Sequence, residues 1–520
     1  MKDKTNDSEK FYARFVPKPH MTRKQHQQAI WMDDEDDDED ESEEDYEIIE
    51  DDDVLLQQTE SERSSSVKKA RPYPVSRPVE ARCPVAKKCS GCQMQNLSYQ
   101  DGLRWKQAQV VRLLGQYGRV QPIIGMDQPT HYRNKVQIAF GMTRQHKIIS
   151  GVWQSKEHRI TVVDRCMIED SVASEIAITV RKLLAAFKMT AWTETEGGFL
   201  RHLLIRRGFA TGQIMVVLVA GTPVFPSKKN FVSALLRAHP EITTVIFTVN
   251  NSETNLLLGA REEVLYGSGY IEDVLCGLTF RISAKSFYQV NPVQTEVLYR
   301  TAIDFAGLTG QETVLDAYCG IGTIGLAASS AARRVIGVEL NPDAVADAQK
   351  NKRENGIQNA AFVCADAGEY MTGLADQLDS QKVDVLFIDP PRAGASREFL
   401  DAVLRCMPKK IVYISCNPET QARDLKLLAA GRHPAYQVRR IQPVDMFPWT
   451  HHVENIVLLE RTEDKREAEL KHHTGSAAEP KKVEPKARHT RPSRRSQFAD
   501  RNRAVFGKSG KKTGKSSAKK

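Results

Sequence analysis

The sequence predicts an α/β protein whose C-terminal Rossmann-like domain follows a smaller α+β domain, and three stretches carry that prediction. The first is Thr313 to Leu326, TVLDAYCGIGTIGL, a buried-strand pattern that runs into a turn with Gly320, Gly322 and Gly325 and then into a helix. The second is VIGVEL, a strand that ends in Glu339 about twenty residues past the turn, where a carboxylate can accept hydrogen bonds from ribose hydroxyls. The third is the alternation that follows: helix-like DAVADAQKNKRENG, strand AAFVCAD, helix-like EYMTGLADQL, strand DVLFIDPPR, a helix, and strand KIVYISCNP. Strands alternating with helices predict a parallel sheet whose ligand lies beyond the strand carboxyl ends. The strand-end residues Asp316, Glu339, Asp366, Asp389 and Cys416 are therefore expected to converge on one cleft. A turn or a helix cap would explain any one of them alone, but hardly all five.

The bulk of the chain fits this architecture. With 520 residues, 41% of them hydrophobic, it can bury a full core and extend to two or three domains with tails. No apolar run approaches the ~20 residues that span a bilayer, and the opening MKDKTNDSEK lacks the apolar core of a signal peptide, so a cytoplasmic location is expected. Nothing in the composition calls for an obligate protein partner.

The net charge of +8 conceals opposed ends: about −10 before Cys83, about +6 from Cys83 to Glu460 and about +12 after it. Residues Asp33 to Asp53 are almost all Asp and Glu, a block that repels itself. Residues 1–82 are thus read as a disordered acidic segment, either a solvating tail or an internal mimic of phosphate that covers a basic surface until RNA displaces it. Residues 461–520, rich in Lys, Arg, Ser, Gly and Pro, are read as a disordered basic tail that adds sequence-blind affinity for nucleic acid.

Residues 83–290 form the predicted α+β domain. Cys83, Cys89 and Cys92 make a C-x5-C-x2-C array, joined by Cys166 in VVDRCMI. Four thiolates can close the coordination of an iron–sulfur cubane or a structural zinc, and spacing alone does not choose between them. Four ligands do argue against cluster-driven radical chemistry, which leaves one iron open. Further on, HYRNKVQIAFG carries Arg133, Asn134 and Lys135, and GGFLRHLLIRRG carries Arg201, His202, Arg206 and Arg207. These are read as strands with a basic face that either tracks a phosphate backbone or is simply solvated.

Residues 291–460 form the predicted Rossmann-like domain, entered through SAKSFYQVN and the helix PVQTEVLYRTAIDFAG. Cys416 ends a strand beside a helix start at Pro418, where the helix dipole favours a thiolate, and it is the candidate nucleophile. Asp389 ends the strand before two prolines, which stiffen the loop and hold the carboxylate and Arg392 for a flat ring. In DMFPWTHHVENIVLLE, Glu454 opens a last apolar strand between Val453 and Ile456 and is the candidate general base.

Taken together, the cysteine array with Cys166, SFYQVN, LDAYCGIGTIGL, IDPPRAG, ISCNPET and DMFPWTHHVE resemble the S-adenosylmethionine-dependent RNA 5-methyluridine methyltransferases, and within them the bacterial 23S rRNA branch. The resemblance spans roughly Cys83 to Glu460. It implies a [4Fe-4S] cluster on Cys83, Cys89, Cys92 and Cys166 with a structural or RNA-positioning role. It also implies S-adenosylmethionine contacts from Gln289, Tyr318, Glu339 and Asp389, with Cys416 as nucleophile and Glu454 as base. Gly320 of the turn and Asp366 at the next strand end join them as expected cofactor contacts. Many members begin with a small RNA-binding barrel, the TRAM domain; no strand-rich basic segment before Cys83 matches one, which leaves that part of the affinity to the basic tail. RNA cytosine-5 enzymes carry a second cysteine in the loop that here reads Asp-Pro-Pro-Arg, so uracil is the expected base. The four-cysteine array favours 23S rRNA over tRNA by resemblance only. Two other classes compete: a small-molecule methyltransferase, which would not need Cys416 or the basic tail, and a non-catalytic RNA-binding or ribosome-assembly factor, against which Cys416 and Glu454 speak.

Overall fold

The computed structural model describes residues 80–154, 159–193, 195–251, 257–376, 383–431 and 434–462. Apart from residues 80–82 and 461–462, the acidic and basic tails lie outside them.

Helix α1 (Tyr99–Leu114) precedes a seven-stranded sheet built from β1 (Lys135–Met142), β2 (Ile148–Gln154), β3 (Arg159–Val162), β4 (Leu200–Arg207), β5 (Ile214–Ala220), β6 (Ile242–Val249) and β7 (Glu262–Tyr266) in the order β3-β2-β1-β4-β5-β6-β7. Helix α2 (Ser171–Ala186) connects β3 to β4, and α3 (Lys228–Ala238) makes the crossover that the parallel pair β5–β6 requires. The other neighbours pair antiparallel. Strand β5, IMVVLVA, is buried along its whole length, as a central strand covered on both faces should be. The outer strand β7 instead exposes Glu262 and Glu263, charges that discourage edge-to-edge pairing.

After the hairpin β8 (Ile271–Leu275) and β9 (Leu278–Ile282), α4 (Pro292–Ala306) opens the second half. There β10 (Thr313–Ala317), α5 (Thr323–Ala328), β11 (Arg334–Glu339), α6 (Pro342–Glu354), β12 (Ala360–Cys364), α7 (Ala367–Ala375), β13 (Val385–Ile388), α8 (Arg397–Cys406) and β14 (Lys410–Ser415) alternate, followed by α9 (Pro418–Ala429), β15 (Tyr436–Val444) and β16 (Glu454–Arg461). The strand order is β12-β11-β10-β13-β14-β16-β15. Strands β10 to β14 run parallel as expected, and β10 and β13, TVLDA and VLFI, are fully buried. One feature differs from an all-parallel sheet: β16 lies antiparallel between β14 and β15. A short return from β15 needs no crossover helix, so the last strand enters the sheet from the opposite end.

Helices α4, α5 and α6 cover one face of this sheet and α7, α8 and α9 the other, giving the two apolar layers of a doubly wound fold. Helix α1 joins the second layer: Val110 and Leu114 pack into the cluster that contains Leu425 and Ile441. No helix among the described residues is long and apolar enough to cross a membrane.

Candidate active site

Strand β10 has β11 on one side and β13 on the other, so the chain winds away in both directions from it. A crevice opens beyond the strand ends at such a switch point. The turn after β10 is shaped by Gly320 and Gly322, at φ 53° and 85°, a left-handed conformation that glycine adopts without strain. Glu339 braces it: the Gly320 N–H donates to Oε2 at 3.0 Å and the Asn341 N–H to Oε1 at 2.8 Å. Each carboxylate oxygen keeps a second lone pair, so Glu339 can hold the turn and still accept from a ribose. Burial raises the Glu339 carboxyl above its ordinary range, with these backbone N–H groups opposing the shift. Tyr318, between strand and turn, also has a left-handed backbone, at φ 65°, which is strained for a bulky residue, and its ring centroid lies 5.5 Å from that of Phe399.

Asp316 departs from the expectation. It does not reach the cleft: 1% exposed, it sits inside β10 and accepts from the Gly325 N–H at 2.8 Å. The strand continues past it to Ala317, so its side chain points under the turn and anchors the start of α5. Asp366 is exposed and caps α7, its Oδ1 accepting from the N–H groups of Gly368 and Glu369. The helix-cap reading thus accounts for one of its oxygens. Asp389 follows β13 directly and is half-buried beside buried Pro390.

Cys416, partly exposed, follows β14, and Asn417 caps α9 by accepting from the Glu419 N–H. The loop after β13 is tied to this helix start: Thr420 Oγ1 and Asn417 Nδ2 both donate to the Arg392 carbonyl, at 3.1 and 3.4 Å. Asp424, buried in α9, accepts from the Ala395 N–H and from Tyr413 OH. The two loops bearing Asp389 and Cys416 are therefore held as one unit.

Glu454 is 3% exposed at the first position of β16. Since β16 is antiparallel, its first residue lies at the carboxyl end of β14. Ser415 pairs with Asn455, the last pair of that ladder, so Glu454 precedes it on one strand and Cys416 follows it on the other. A parallel last strand would have carried Glu454 to the far edge of the sheet. The preceding loop is pinned by residues that sequence reasoning did not single out. Lys106 of α1, 1% exposed, donates to Asp445 Oδ1 at 2.6 Å and to the Phe447 carbonyl at 2.9 Å. Tyr99 OH donates to Asp445 Oδ2 at 2.8 Å, and Trp449, left-handed at φ 71°, donates through Nε1 to the Pro129 carbonyl. A lysine on the apolar stripe Leu103, Val110 and Leu114 was the available signal.

Gln289 is buried, and its carbonyl accepts from Asn134 Nδ2 at 3.2 Å. Asn291 next caps α4 and donates to the Met446 carbonyl, while Gln294 donates to that of Asp445. The SFYQVN segment thus joins β1 to the loop that precedes Glu454.

The basic face expected on β1 and β4 is corrected by the structure. Lys135 and Arg206 are cross-strand neighbours, but they are 8% and 3% exposed and engaged within the protein. Arg207 pairs with Asp170 at 2.6 Å, Arg201 lies 4.2 Å over Trp192 and donates to the Asn250 carbonyl, and Arg133 donates to the Lys135 carbonyl. Burial, with Arg201 adding, pushes His202 down to about 4, so it is neutral at physiological pH. Adjacent strand residues point to opposite faces, so Arg206 and Arg207 cannot share one, and the register shift between Leu200 and His202 leaves Arg201 as an extra residue outside the alternation.

Cys83, Cys89, Cys92 and Cys166 are all partly buried; Cys83 lies close enough to Cys89, and both to Cys92, to raise the pKa of those thiols, and Cys92 does the same to Cys166. Cys92 and Cys166 pack against one small cluster of Met126, Tyr132, Ile168 and Trp449. Burial first, and neighbouring negative groups second, push Cys92 up to about 11 and Cys166 up to about 12. Thiols are soft donors, and a bound metal would relieve that cost by taking the charge. As the side chains stand, no three His, Cys, Asp or Glu groups among the described residues are drawn into a metal-binding arrangement.

Residues 227–462 match the family model described as tRNA (uracil-5-)-methyltransferase. An uncharacterized RNA methyltransferase of Halalkalibacterium halodurans is 43% identical over 388 residues, 74% of this chain and 83% of that protein. Another, of Clostridium acetobutylicum, is 42% identical over 392 residues, covering 74% and 84%. Among solved structures, the Pyrococcus abyssi tRNA (uracil-54, C5)-methyltransferase in complex with S-adenosyl-L-homocysteine is similar with a TM-score of 0.59 and 28% identity, over 71% of this chain and 86% of that one.

Proposed function

The chain belongs to the family of S-adenosylmethionine-dependent RNA uracil-5-methyltransferases, and on that premise we propose that it methylates carbon 5 of a specific uridine in 23S rRNA, in the cytoplasm, through a covalent adduct between Cys416 and carbon 6. The observation that supports this reading is the pairing of Ser415 with Asn455, the neighbours of Cys416 and Glu454 at the carboxyl end of β14.

Carbon 5 of uracil is too weak a nucleophile to take a methyl group unaided. The Cys416 thiolate adds to carbon 6, forming an S–C bond and moving the double-bond electrons to carbon 5. Bound S-adenosylmethionine supplies the electrophilic methyl group. Glu454 then takes the carbon 5 proton; the double bond re-forms as the bond to Cys416 breaks and the thiolate leaves. The uracil must lie in the cleft for both groups to reach it, so the target is an unpaired or flipped nucleotide.

For the cofactor we assign Gln289, Tyr318, Gly320, Glu339, Asp366 and Asp389, with Glu339 on the ribose and Asp389 with its proline-stiffened loop near the flat rings. Cys83, Cys89, Cys92 and Cys166 are assigned to a [4Fe-4S] cluster that fixes the loop ahead of α1 and has no redox part in methyl transfer. Residues 83–290 carry the cluster and RNA contacts and residues 291–460 the methyl transfer, with the tails outside both. Transfer RNA is the alternative substrate, favoured by the name of the solved relative.

Mass spectrometry of nucleosides from purified 23S rRNA and bulk tRNA, taken from cells with and without the gene, tests the assignment. Loss of 5-methyluridine from 23S rRNA alone is expected. Loss from tRNA alone keeps the chemistry and moves the substrate, and no change in either overturns the proposal.

A further inference from the structure

Helix α1 turns an indole outward at the rim of the cleft. Trp105 is 37% exposed, and its ring lies on the imidazole of His451, with centroids 4.8 Å apart and planes 24° from parallel. An exposed Trp by itself needs no explanation. This one is half of a two-ring stack, and the other half stands three residues before Glu454.

The surface is continuous with the site. His452, next to His451, brings Nδ1 within 3.5 Å of Arg392 Nη2. The Arg392 carbonyl is held by Asn417 and Thr420, and Asn417 follows Cys416. A path of contacts therefore runs along the rim from the nucleophile to Trp105. Beneath the platform, Lys106, Asp445 and the Phe447 carbonyl form the buried network that fixes the loop carrying His451. The two rings are thus held by rigid elements. Helix α1 also exposes Arg112, which suits a polyanion, and Arg104, which pairs with Asp101. Burial, with Lys106 adding, lowers the His451 pKa below its ordinary range, so the ring presents a neutral π face.

We propose that the stacked Trp105–His451 pair is a platform on which an unpaired base of the substrate RNA, adjacent in sequence to the target uridine, stacks when that uridine enters the cleft. A loop nucleotide that leaves its own stack strips its neighbour of a stacking partner, and an aromatic face at the rim replaces it. The occupant is a nucleobase of the same RNA. The inference rests on the methylation of RNA by this site and adds a recognition element to it.

The test measures methyl transfer by the full chain and its Trp105→Ala, Trp105→Phe and His451→Ala variants on unmodified 23S rRNA and tRNA transcripts, with separate KM values for RNA and S-adenosylmethionine. For whichever RNA the unsubstituted protein methylates, Trp105→Ala is expected to raise the RNA KM by about tenfold or more, from the loss of one base–aromatic stack. His451→Ala should raise it less, Trp105→Phe should restore most of it, and kcat and the S-adenosylmethionine KM should stay within about twofold. An unchanged RNA KM for Trp105→Ala, or a loss confined to kcat or accompanied by a lower melting temperature that Phe does not repair, overturns the platform. Absence of methylation of either RNA by the unsubstituted protein overturns the reading beneath it as well.

Discussion

Ser415 pairs with Asn455 because β16 runs antiparallel to β14, so Glu454 opens its strand at the end of β14 that Cys416 follows. In the proposed mechanism Cys416 opens the reaction and Glu454 closes it, so the two roles can be tested apart.

Cys416→Ala should abolish methyl transfer while S-adenosylmethionine affinity, read by calorimetry, stays within about twofold of the unsubstituted protein. The thiol is assigned to the uracil and not to the cofactor. Full activity in this variant would sink the covalent mechanism.

Glu454→Gln keeps the shape of the buried side chain and removes its basicity. Turnover should fall about 10²–10⁴-fold, the usual worth of a general base. Carbon 5 then keeps its proton and the bond to Cys416 has no way to be expelled, so a protein–RNA adduct should accumulate on a denaturing gel. If no adduct forms, Glu454 is not the base.

Lys106 and Asp445 form an ion pair in which both side chains are 1% exposed. Burial pulls the Lys106 pKa down and Asp445 pulls it back up. Lys106→Met should cost about 3–5 kcal/mol in denaturant unfolding, because Asp445 is left as an uncompensated buried charge. The double variant Lys106→Met, Asp445→Leu should recover much of that loss. Equal destabilisation of the single and double variants would show that the hydrogen bonds to Phe447 and Tyr99 matter more than the charge.

Anaerobically purified protein should be brown, with broad visible absorbance and iron and sulfide in near-equal amounts. Cys92→Ser should lose both. Stoichiometric zinc without iron would assign the four thiols to a structural zinc site.

Much of this site was legible in the chain, for reasons that differ from residue to residue. Parallel strands covered on both faces read as short apolar runs, so β10, β11, β13 and β14 and the residues that end them, Glu339, Asp389 and Cys416, stand out. Strand direction leaves no local mark. The placement of Glu454 at the carboxyl end of β14 depends on β16 being antiparallel, which follows only from its pairing with β14 and β15. The basic residues of β1 and β4 were misleading, because a charge pattern does not reveal that Lys135 and Arg206 turn inward and that Arg207 is taken up by Asp170. Asp316 misled in another way: a carboxylate at the end of a buried strand predicts a ligand contact, and here the same residue serves the backbone of the turn.

That position of Asp316 sets a pH dependence. Burial, helped by Glu339 and opposed by the Gly325 N–H, raises its carboxyl to about 7. An unfolded aspartate titrates near ~3.9. Between these values the folded protein holds a proton that the unfolded chain has released, so the contribution of Asp316 to stability is full below about pH 4, declines as pH rises, and is gone above about pH 7. Within that window the slope approaches about 1.4 kcal/mol per pH unit. Asp316→Asn cannot titrate and removes the dependence. Denaturant unfolding of both proteins at pH 5, 6, 7 and 8, without S-adenosylmethionine, should show the unsubstituted protein losing at least about 1 kcal/mol relative to the variant between pH 5 and 7, with no further divergence at pH 8. A constant difference across the series would mean that Asp316 is already ionised at pH 5, held in that state by the Gly325 N–H and the turn it anchors.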